Sequence, residues 1–202
     1  AAGRRVGLYT SPHLCSFRER IRVDGAPIPP DAVVDGVEAL GTLVARLDAT
    51  MFEATTALAL DHFAREEVEI AVLEVGLGGR LDATTVGVPA VTVVTRVDLD
   101  HQAYLGESLA EIAGEKAAII ERGNLAVTGA DGDALAVIRR RARRLGVPLR
   151  EVAPAPLLGW DRDGIDVALP RLGRTRVGLR GRHQAANVAV ADALLDALAE
   201  AG

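Results

Sequence analysis

The sequence has little of several residue types, and each scarcity excludes a class of protein. The single cysteine, Cys15, excludes an intramolecular disulfide framework and is typical of a reducing compartment, so we expect a cytoplasmic protein. No stretch approaches the ~18 apolar residues of a membrane span, and the net charge of −5 argues against a nucleic-acid or anionic-membrane surface. We therefore expect neither a nucleic acid nor a membrane as a partner.

Aromatic residues make up only 3% of the chain whereas 49% of it is hydrophobic, so we expect a core of Ala, Val and Leu. The continuous apolar runs at 70–73 and 91–94 are typical of strands buried on both faces. Their alternation with helix-period segments predicts an α/β fold, a doubly wound and mostly parallel sheet flanked by helices. The expected strands are Val6–Thr10, Ile70–Val75, Ala90–Thr95, Leu125–Thr128 and Leu149–Val152, and the expected helices are Pro30–Leu47, Phe52–Glu66, Leu109–Arg122, Ala134–Leu145 and Gln184–Ala201.

A hairpin turn at Asp161–Gly164 predicts a small antiparallel β appendix over 159–179. The chain begins without Met directly before an expected strand, and it ends directly after an expected helix. We therefore expect residues 1–202 to be one domain of a longer protein, truncated at both ends.

Lysine is nearly absent, since Lys116 is the only one among 23 Lys and Arg residues. A lysine amine can shift its pKa and be covalently modified, whereas arginine stays protonated. A capping box at Ser108 and Glu111 predicts the start of a helix that carries Lys116 on an apolar stripe. The other members of the stripe are Leu109, Ile112, Ala113, Ile119 and Ile120. Two interpretations are open: a paired or modified lysine on a buried face, or a lysine whose ammonium reaches water.

Polar residues follow two of the expected strands, at the edge where open α/β sheets bind ligands. Glu74 precedes a glycine-rich turn, which suits a Mg²⁺ ligand beside nucleotide phosphates, although an exposed loop acid fits the same pattern. Asp98, Asp100 and His101 follow the next strand, and His101 is either a metal ligand or a polar loop residue. With Lys116 one helical segment later, these residues predict one site at one edge of the sheet.

Two common phosphate-binding motifs do not occur in the sequence. Leu81 stands at the third glycine position of the G-x-G-x-x-G pattern that begins at Gly76, and there is no G-x-x-x-x-G-K-[ST] loop. We therefore expect the phosphate-binding loop to lie outside this sequence.

Six blocks of the sequence resemble, in order and spacing, those of the folylpolyglutamate synthase/dihydrofolate synthase family of the Mur ligase superfamily. The blocks are Ser11–Leu14 with Phe17–Ile21, Phe52-Glu53, Glu74–Thr84, Asp100-His101 with Leu105-Gly106, Gly114–Ala117, and Gly181–Gln184 with Asn187. The first and third blocks are the most specific, because other Mur ligases share the histidine and lysine but not the Ser-Pro-His-Leu block. The resemblance implies a fragment of such an enzyme, inactive alone without its phosphate loop and carboxy-terminal domain.

The resemblance implies an ATP-dependent ligase that is a monomer. ATP phosphorylates a carboxylate of dihydropteroate or a folate, and the amine of L-glutamate attacks the acyl phosphate. Two Mg²⁺ sites are implied, with Ser11, Glu74, His101 and Lys116 as ligands, and the catalytic roles fall to His101 and Lys116. The resemblance further implies that Lys116 carries a CO₂-derived carbamate, which offers anionic oxygens where Mg²⁺ would repel an ammonium.

The resemblance also implies residues for both substrates. His13, Phe17, Arg20 and Asp82 would bind the pteroyl substrate, and His183, Gln184 and Asn187 would bind ATP. The Asp82 carboxylate can accept two hydrogen bonds from an aminopyrimidine, or it can organise a turn. The Asn187 amide can pair with the N6/N7 edge of adenine, or it can cap the start of a helix.

The sequence departs from the family pattern at Thr85, where Asn is usual, and at Ala118, where Gly is common. Neither residue is an implied ligand. Two alternative functions are open: another Mur-type amino acid ligase that acts on a cell-wall precursor, and a non-catalytic binding module descended from such a ligase.

Overall fold

The computed structural model describes residues 3–201, which divide into unit 1, up to Val86, and unit 2, from Gly87. Unit 1 contains β1 (Val6–Tyr9), a 3₁₀ helix (Phe17–Arg20), β2 (Ile21–Val23), β3 (Ala26–Pro27), α1 (Pro30–Leu47), α2 (Met51–Arg65) and β4 (Ile70–Leu73). Unit 2 contains β5 (Val91–Val94), α3 (Gln102–Leu105), α4 (Leu109–Ala117), β6 (Leu125–Thr128), α5 (Gly132–Leu145), β7 (Leu149–Glu151), β8 (Leu157–Asp161), β9 (Gly164–Leu169), β10 (Gly173–Val177) and α6 (Gln184–Ala201). Over the described range 3–201, no helix is long and apolar enough to cross a membrane.

The sheet of unit 1 has the strand order β3-β2-β1-β4. β1 pairs with β4 in parallel, from Val6 opposite Ile70 to Tyr9 opposite Leu73, and it pairs with β2 in the antiparallel sense. Parallel strands need a crossover, and here that connection includes α1 and α2. The residues that follow β1 and β4 therefore emerge at the same edge of the sheet.

Helix α2 covers this sheet with its buried face. A capping box begins the helix, because Thr50 accepts the Glu53 N–H while the Glu53 carboxylate accepts the Thr50 N–H at 2.7 Å. The core it shares with the sheet consists of Tyr9, Ile21, Val23, Ile28, Leu58, Ala59 and Phe63. The Thr56 hydroxyl, also buried, lies 3.2 Å from the Tyr9 hydroxyl, so the phenol has a polar neighbour inside the core.

In unit 2, helices pack on both faces of the parallel sheet β5-β6-β7. Side chains alternate between faces along a strand. Val94 and Ala126 pack with residues of α4 and α5, whereas Val93 and Val127 pack with residues of α6. The predicted α/β class, a mostly parallel sheet flanked by helices, is confirmed.

The predicted appendix is a three-stranded antiparallel sheet in the order β10-β9-β8, with its hairpin turn between Asp161 and Gly164. It covers Leu157–Val177, two residues earlier than the sequence predicted. Its buried Ile165, Val167 and Leu169 pack against Ala185 and Ala189 of α6. The assignment of 1–202 to one domain stays a prediction.

The helix that carries Lys116 is shorter than predicted, because α4 ends at Ala117 instead of Arg122. Residues 118–120 continue as tight turns, in which the Ile120 N–H donates to the Ala117 carbonyl at 3.0 Å. Ile120 is nevertheless fully buried. It continues the apolar pattern because its side chain is buried, although it lies beyond the end of the helix. Ala118 has φ −62°, which requires no glycine, so the departure from the family pattern is tolerated here.

The sequence analysis missed four short elements: β2, β3, the 3₁₀ helix and α3. β2 and β3 form through pairing that begins at β1, and no local pattern in the sequence encodes that pairing.

We expect Gly164→Ala to destabilise the antiparallel sheet by about 2–5 kcal/mol. Gly164 has φ +152°, and a Cβ there would lie 2.1 Å from the Val177 carbonyl oxygen, a backbone atom that cannot rotate away. Gly159→Ala in the same sheet is the control, because its Cβ would meet only Asp166, at 3.7 Å. Urea unfolding of both variants measures the difference, and equal stabilities would contradict the expectation.

Candidate active site

A cavity of about 380 Å³ opens at the edge of the unit 1 sheet where β1 and β4 end. Its lining consists of Ser11, Pro12, Arg20, Phe52, Gly76, Leu77 and Asp82. Ser11, Arg20 and Asp82 are three of the predicted site residues, and they come from segments more than 60 residues apart. The cavity thus joins the Ser-Pro-His-Leu block to the glycine-rich block.

Ser11 and Glu74 are neighbours at this edge, because each lies just beyond one of two paired strands. The Glu74 N–H donates to the Tyr9 carbonyl at 2.9 Å, which extends the β1–β4 ladder by one residue. The Ser11 N–H then donates to Glu74 Oε2 at 2.8 Å. Glu74 is exposed, so its carboxylate and the nearby Ser11 hydroxyl offer hard oxygen ligands.

These two residues fit a Mg²⁺ ion that also binds phosphate. Mg²⁺ usually takes one or two protein carboxylates and completes its shell with water and phosphate oxygens. Across residues 3–201, no group of three or more His, Cys, Asp and Glu side chains is arranged to hold a metal ion. Glu74 and Ser11 therefore suit an ion shared with a nucleotide better than an ion held by protein alone.

His13, Phe17 and Arg20 form a second group beside the cavity. Arg20 Nε donates to His13 Nδ1 at 2.8 Å, and the His13 and Phe17 rings meet edge to face at 6.3 Å between centroids. Arg20 is only 7% exposed, and it makes no salt bridge with a carboxylate in the part of the chain that the structure describes. A nearly buried guanidinium without a carboxylate partner on a cavity wall is suited to an anionic or carbonyl group of a ligand.

Tyr9 lies beneath this group. Burial raises the pKa of the Tyr9 phenol, and the hydrogen bond to Thr56 and the charge of Arg20 only partly oppose that effect. The phenol is therefore neutral at physiological pH. Its ring lies 6.0 Å from that of Phe52, which lines the cavity, so aromatic packing supports this wall.

Asp82 holds the glycine-rich loop closed. Its Oδ2 accepts the N–H groups of Gly76 and Leu77, both at 3.0 Å, and its Oδ1 accepts the Thr84 N–H at 2.9 Å and the Thr84 hydroxyl at 2.5 Å. A carboxylate has about four acceptor positions, and the loop uses all of them. Asp82 therefore organises a turn, one of the two interpretations left open by the sequence, and its direct contact with a pterin stays a prediction.

Thr85, which replaces the usual Asn of the family pattern, supports the same loop. Its hydroxyl donates to the Asp82 carbonyl at 2.6 Å. The substitution keeps a polar bond within the turn.

His101, in unit 2, is exposed and precedes α3 in an unusual backbone conformation, with φ +51°. A non-glycine residue in this left-handed region costs about 1–2 kcal/mol, and such residues cluster at functional sites. The Asp100 carboxylate supports the conformation, because its Oδ1 accepts the His101 N–H at 2.8 Å. Its other oxygen lies 3.6 Å from His101 Nε2.

Lys116 lies in the last turn of α4 and is half-buried, which is intermediate between the two interpretations left open by the sequence. Its stripe neighbours Ile112 and Ala113 are fully buried. The Lys116 ammonium forms no salt bridge to a carboxylate anywhere in residues 3–201. The capping box that begins α4 is confirmed, with the Glu111 carboxylate accepting the Ser108 N–H at 3.0 Å.

The predicted ATP residues lie where the chain enters α6. Asn187 Nδ2 donates to Gln184 Oε1 at 2.8 Å, and Asn187 is the fourth residue of the helix. It therefore does not occupy the N-cap position, the other role considered for it. His183 packs so closely on Gly181, which has φ +100°, that a Cβ there would lie 2.5 Å from its ring.

Arg182, between Gly181 and His183, contacts the antiparallel sheet. Its guanidinium carbon lies 4.2 Å from the centre of the Trp160 ring, which is a cation–π contact. The segment that leads into α6 is thus fixed to β8.

Within its units, the structure brings together three sets of predicted residues: Ser11 with Glu74, His13 with Phe17 and Arg20, and Gln184 with Asn187. The grouping of Ser11, Glu74, His101 and Lys116 around metal ions stays a prediction. Sequence reasoning missed Glu19, whose carboxylate accepts the N–H groups of Leu14, Cys15 and Ser16. The spacing Ser16-x-x-Glu19 is a capping-box signal that could have drawn attention to it.

Comparisons with known proteins identify the family. The model of the Mur ligase middle domain matches residues 35–195. The chain is 40% identical over 212 residues to the folylpolyglutamate synthase of Lacticaseibacillus casei, covering 95% of this chain and 48% of that protein. It is 36% identical over 205 residues to the dihydrofolate synthase/folylpolyglutamate synthase of Bacillus subtilis (strain 168), covering 94% and 47%.

The solved structure of an FPGS-AMPPCP-folate complex superimposes on the chain with a TM-score of 0.87 at 37% identity, over 99% of this chain and 52% of that one. The chain belongs to the Mur ligase family. Within that family, its resemblance to folylpolyglutamate and dihydrofolate synthases is confirmed by both relatives. The chain spans about half the length of these relatives.

We expect Asp82→Ala to speed hydrogen exchange at the Gly76, Leu77 and Thr84 amides by about tenfold or more, because these amides lose their acceptor. Asp82→Asn keeps one carbonyl oxygen and should give a smaller effect. Asp31→Asn is the control, since among residues 3–201 the Asp31 carboxylate accepts just the adjacent Ala32 N–H. Unchanged exchange in Asp82→Ala, measured by NMR, would show that the loop does not depend on this carboxylate.

Proposed function

We propose that the protein containing this chain is an ATP-dependent ligase that joins L-glutamate to dihydropteroate or a folate. The observation that carries the proposal is the Ser11–Glu74 pair beside a cavity lined by Arg20, in a chain of the Mur ligase family. The two relatives are named as folylpolyglutamate or dihydrofolate synthases, and the related solved structure contains AMPPCP and folate.

The reaction proceeds in two steps. A substrate carboxylate oxygen attacks the γ-phosphorus of ATP, the bond to the β,γ-bridging oxygen breaks, and ADP leaves. The glutamate nitrogen then attacks the acyl carbon, inorganic phosphate leaves, and the nitrogen loses a proton to give the amide. Positioning and charge stabilisation supply most of the catalysis in phosphoryl transfer, so the fixed groups of the protein decide the rate.

Ser11, Glu74, His101 and Lys116 are the proposed ligands of two Mg²⁺ ions. Bound Mg²⁺ neutralises charge on the phosphates. The exposed Glu74 carboxylate at a strand end supports its part in this set, and the left-handed His101 beside Asp100 supports that of His101. These two residues and Ser11 provide the oxygen and nitrogen donors.

Lys116 completes the proposed ligand set as a carbamate, which forms when its neutral amine attacks CO₂ and loses a proton. Its half-buried position and its lack of a salt bridge within residues 3–201 support a modified lysine. Carbamylation converts a cation into an anionic oxygen ligand, which explains why this position keeps an amine in a chain that otherwise uses arginine.

His13, Phe17, Arg20 and Asp82 form the proposed site for the pteroyl substrate. Arg20 and Asp82 line the cavity, and His13 accepts a hydrogen bond from Arg20. Arg20 offers donors to substrate oxygens, while Asp82 acts through the loop that it closes. The Phe17 ring supports His13 from the side.

His183, Gln184 and Asn187 are the proposed ATP residues. The bond between Gln184 and Asn187 fixes the amide of Asn187 and leaves its oxygen to accept from adenine N6. We further propose that the protein works as a cytoplasmic monomer and that both units belong to one Mur-type central domain. The match of the middle-domain model to 35–195, which spans both units, supports the last point.

We expect the full-length protein to turn ATP over to ADP continuously only when L-glutamate and dihydropteroate or a folate are both present with ATP and Mg²⁺. Glu74→Gln should lower this turnover by about a hundredfold or more, because a metal ligand is lost. Glu69→Gln is the control, since Glu69 precedes the other end of β4. Turnover with a UDP-linked peptide instead would assign a cell-wall ligase, and the absence of any turnover would assign a binding module.

We expect Lys116→Arg in the full-length protein to lower turnover more than a hundredfold, although the charge is kept, because a guanidinium forms no carbamate. The peptide that contains Lys116, prepared without acid, should carry the added mass of CO₂. Arg122→Lys supplies a control amine on an exposed residue nearby, which should stay unmodified. Normal turnover of Lys116→Arg would exclude a role for the amine.

A further inference from the structure

Glu19 receives three consecutive backbone N–H groups from the loop before it. The Leu14 N–H donates to Oε2 at 3.0 Å, and the N–H groups of Cys15 and Ser16 donate to Oε1 at 3.2 and 2.8 Å. The base of the loop is closed by the Thr10 N–H, which donates to the Arg20 carbonyl at 2.9 Å. The loop is therefore tied at its base by the backbone and at its tip by one carboxylate.

Charge strengthens the bonds at the tip. The N–H groups of Leu14 and Ser16 are the main causes that hold the pKa of Glu19 below its usual value, with that of Cys15 adding to them. The carboxylate is therefore ionised at neutral pH, and hydrogen bonds to an ionised acceptor are about twice as strong as neutral ones.

Apolar packing does not replace these bonds. The Leu14 side chain at the tip is 91% exposed, and Cys15 and Ser16 are exposed as well. Without burial, the loop has little to offset the entropy of ordering three residues. The Glu19 carboxylate thus restrains residues 14–16, and a backbone bond from the Glu19 N–H to the Ser16 carbonyl at 3.0 Å adds to it at Ser16.

The residues that Glu19 restrains are adjacent in the chain to residues of the proposed pteroyl site. His13 immediately precedes the tied residues, and Arg20 immediately follows Glu19. His13 Nδ1 accepts from Arg20 Nε at 2.8 Å, and Arg20 lines the cavity. If residues 14–16 move, the link between His13 and Arg20 loses its support.

We propose that Glu19 is a positioning residue that holds the loop so that His13 stays bonded to Arg20 at the cavity wall. Its effect on substrate affinity rests on the proposed function, whereas its effect on His13 does not. Glu19 is not one of the residues that line the cavity, so it acts on the substrate site through His13 and Arg20.

The test compares Glu19→Ala and Glu19→Gln with Glu69→Gln in the full-length protein. Glu69 is a matched control, because its carboxylate also accepts a backbone N–H, that of Arg5 at 2.8 Å, at the opposite end of the sheet. Thermal unfolding checks that each variant is folded. Glu19→Gln keeps one acceptor oxygen, so it serves if Glu19→Ala does not fold.

Two readouts are measured. The first is the ¹⁵N NMR shift of His13 Nδ1 without ligand, which should move toward that of free imidazole in Glu19→Ala, less in Glu19→Gln and not in Glu69→Gln. The second is steady-state ligation, in which the KM for the pteroyl substrate should rise about tenfold while kcat changes little.

An unchanged His13 shift in a folded Glu19 variant overturns the proposal. A changed shift with an unchanged KM also overturns it, because the restraint would then not reach the substrate site. If the unmodified protein does not ligate folates, the proposed function fails, and the His13 shift still decides whether Glu19 positions the loop.

Discussion

The parallel pairing of β1 with β4 is the constraint on which the unit 1 site depends. Its register places Tyr9 opposite Leu73, so the next residues of both strands leave the sheet together. The backbone ladder continues for one bond, from the Glu74 N–H to the Tyr9 carbonyl, and the Glu74 side chain then takes the Ser11 N–H. A slip of one residue would reverse the faces of β4 and separate the serine from the carboxylate.

Carboxylates order three loops next to the predicted site residues where apolar contacts do not. Glu19, Asp82 and Glu111 each accept at least two backbone N–H groups from a short segment next to predicted site residues. The apolar residues of these loops, such as Leu14 and Leu81, are largely exposed instead of forming a local core. Some of the acidic residues that give the chain its negative net charge therefore stabilise its loops.

Helix starts were the most predictable features, because a capping box depends on residues three apart. Thr50 with Glu53 and Ser108 with Glu111 predicted the starts of α2 and α4 to within one residue. The end of α4 was not predictable, since Ile119 and Ile120 continue the apolar stripe after the helix has ended. β2 and β3 depend on pairing with a distant strand, which no local pattern encodes.

The site was predictable only in part, because residue type does not show what a side chain already binds. The position of Glu74 directly after a strand was predicted from the sequence, and its bond to Ser11 follows from pairing across 63 residues, whereas its role as a metal ligand stays a prediction. The resemblance selected Asp82 as a ligand-binding carboxylate, yet its own loop fills its acceptor positions. Arg20 is a candidate ligand-binding residue because it is buried and has no carboxylate partner within residues 3–201, which only the fold reveals.

The contact between Arg182 and Trp160 has a practical consequence for observing this molecule. Trp160 is the only tryptophan of the chain and is 57% exposed, with the guanidinium 4.2 Å from its ring centre. Indole emission responds to the charge and polarity next to the ring. The fluorescence of Trp160 therefore reports on the segment that enters α6, directly beside the residues proposed to hold adenine.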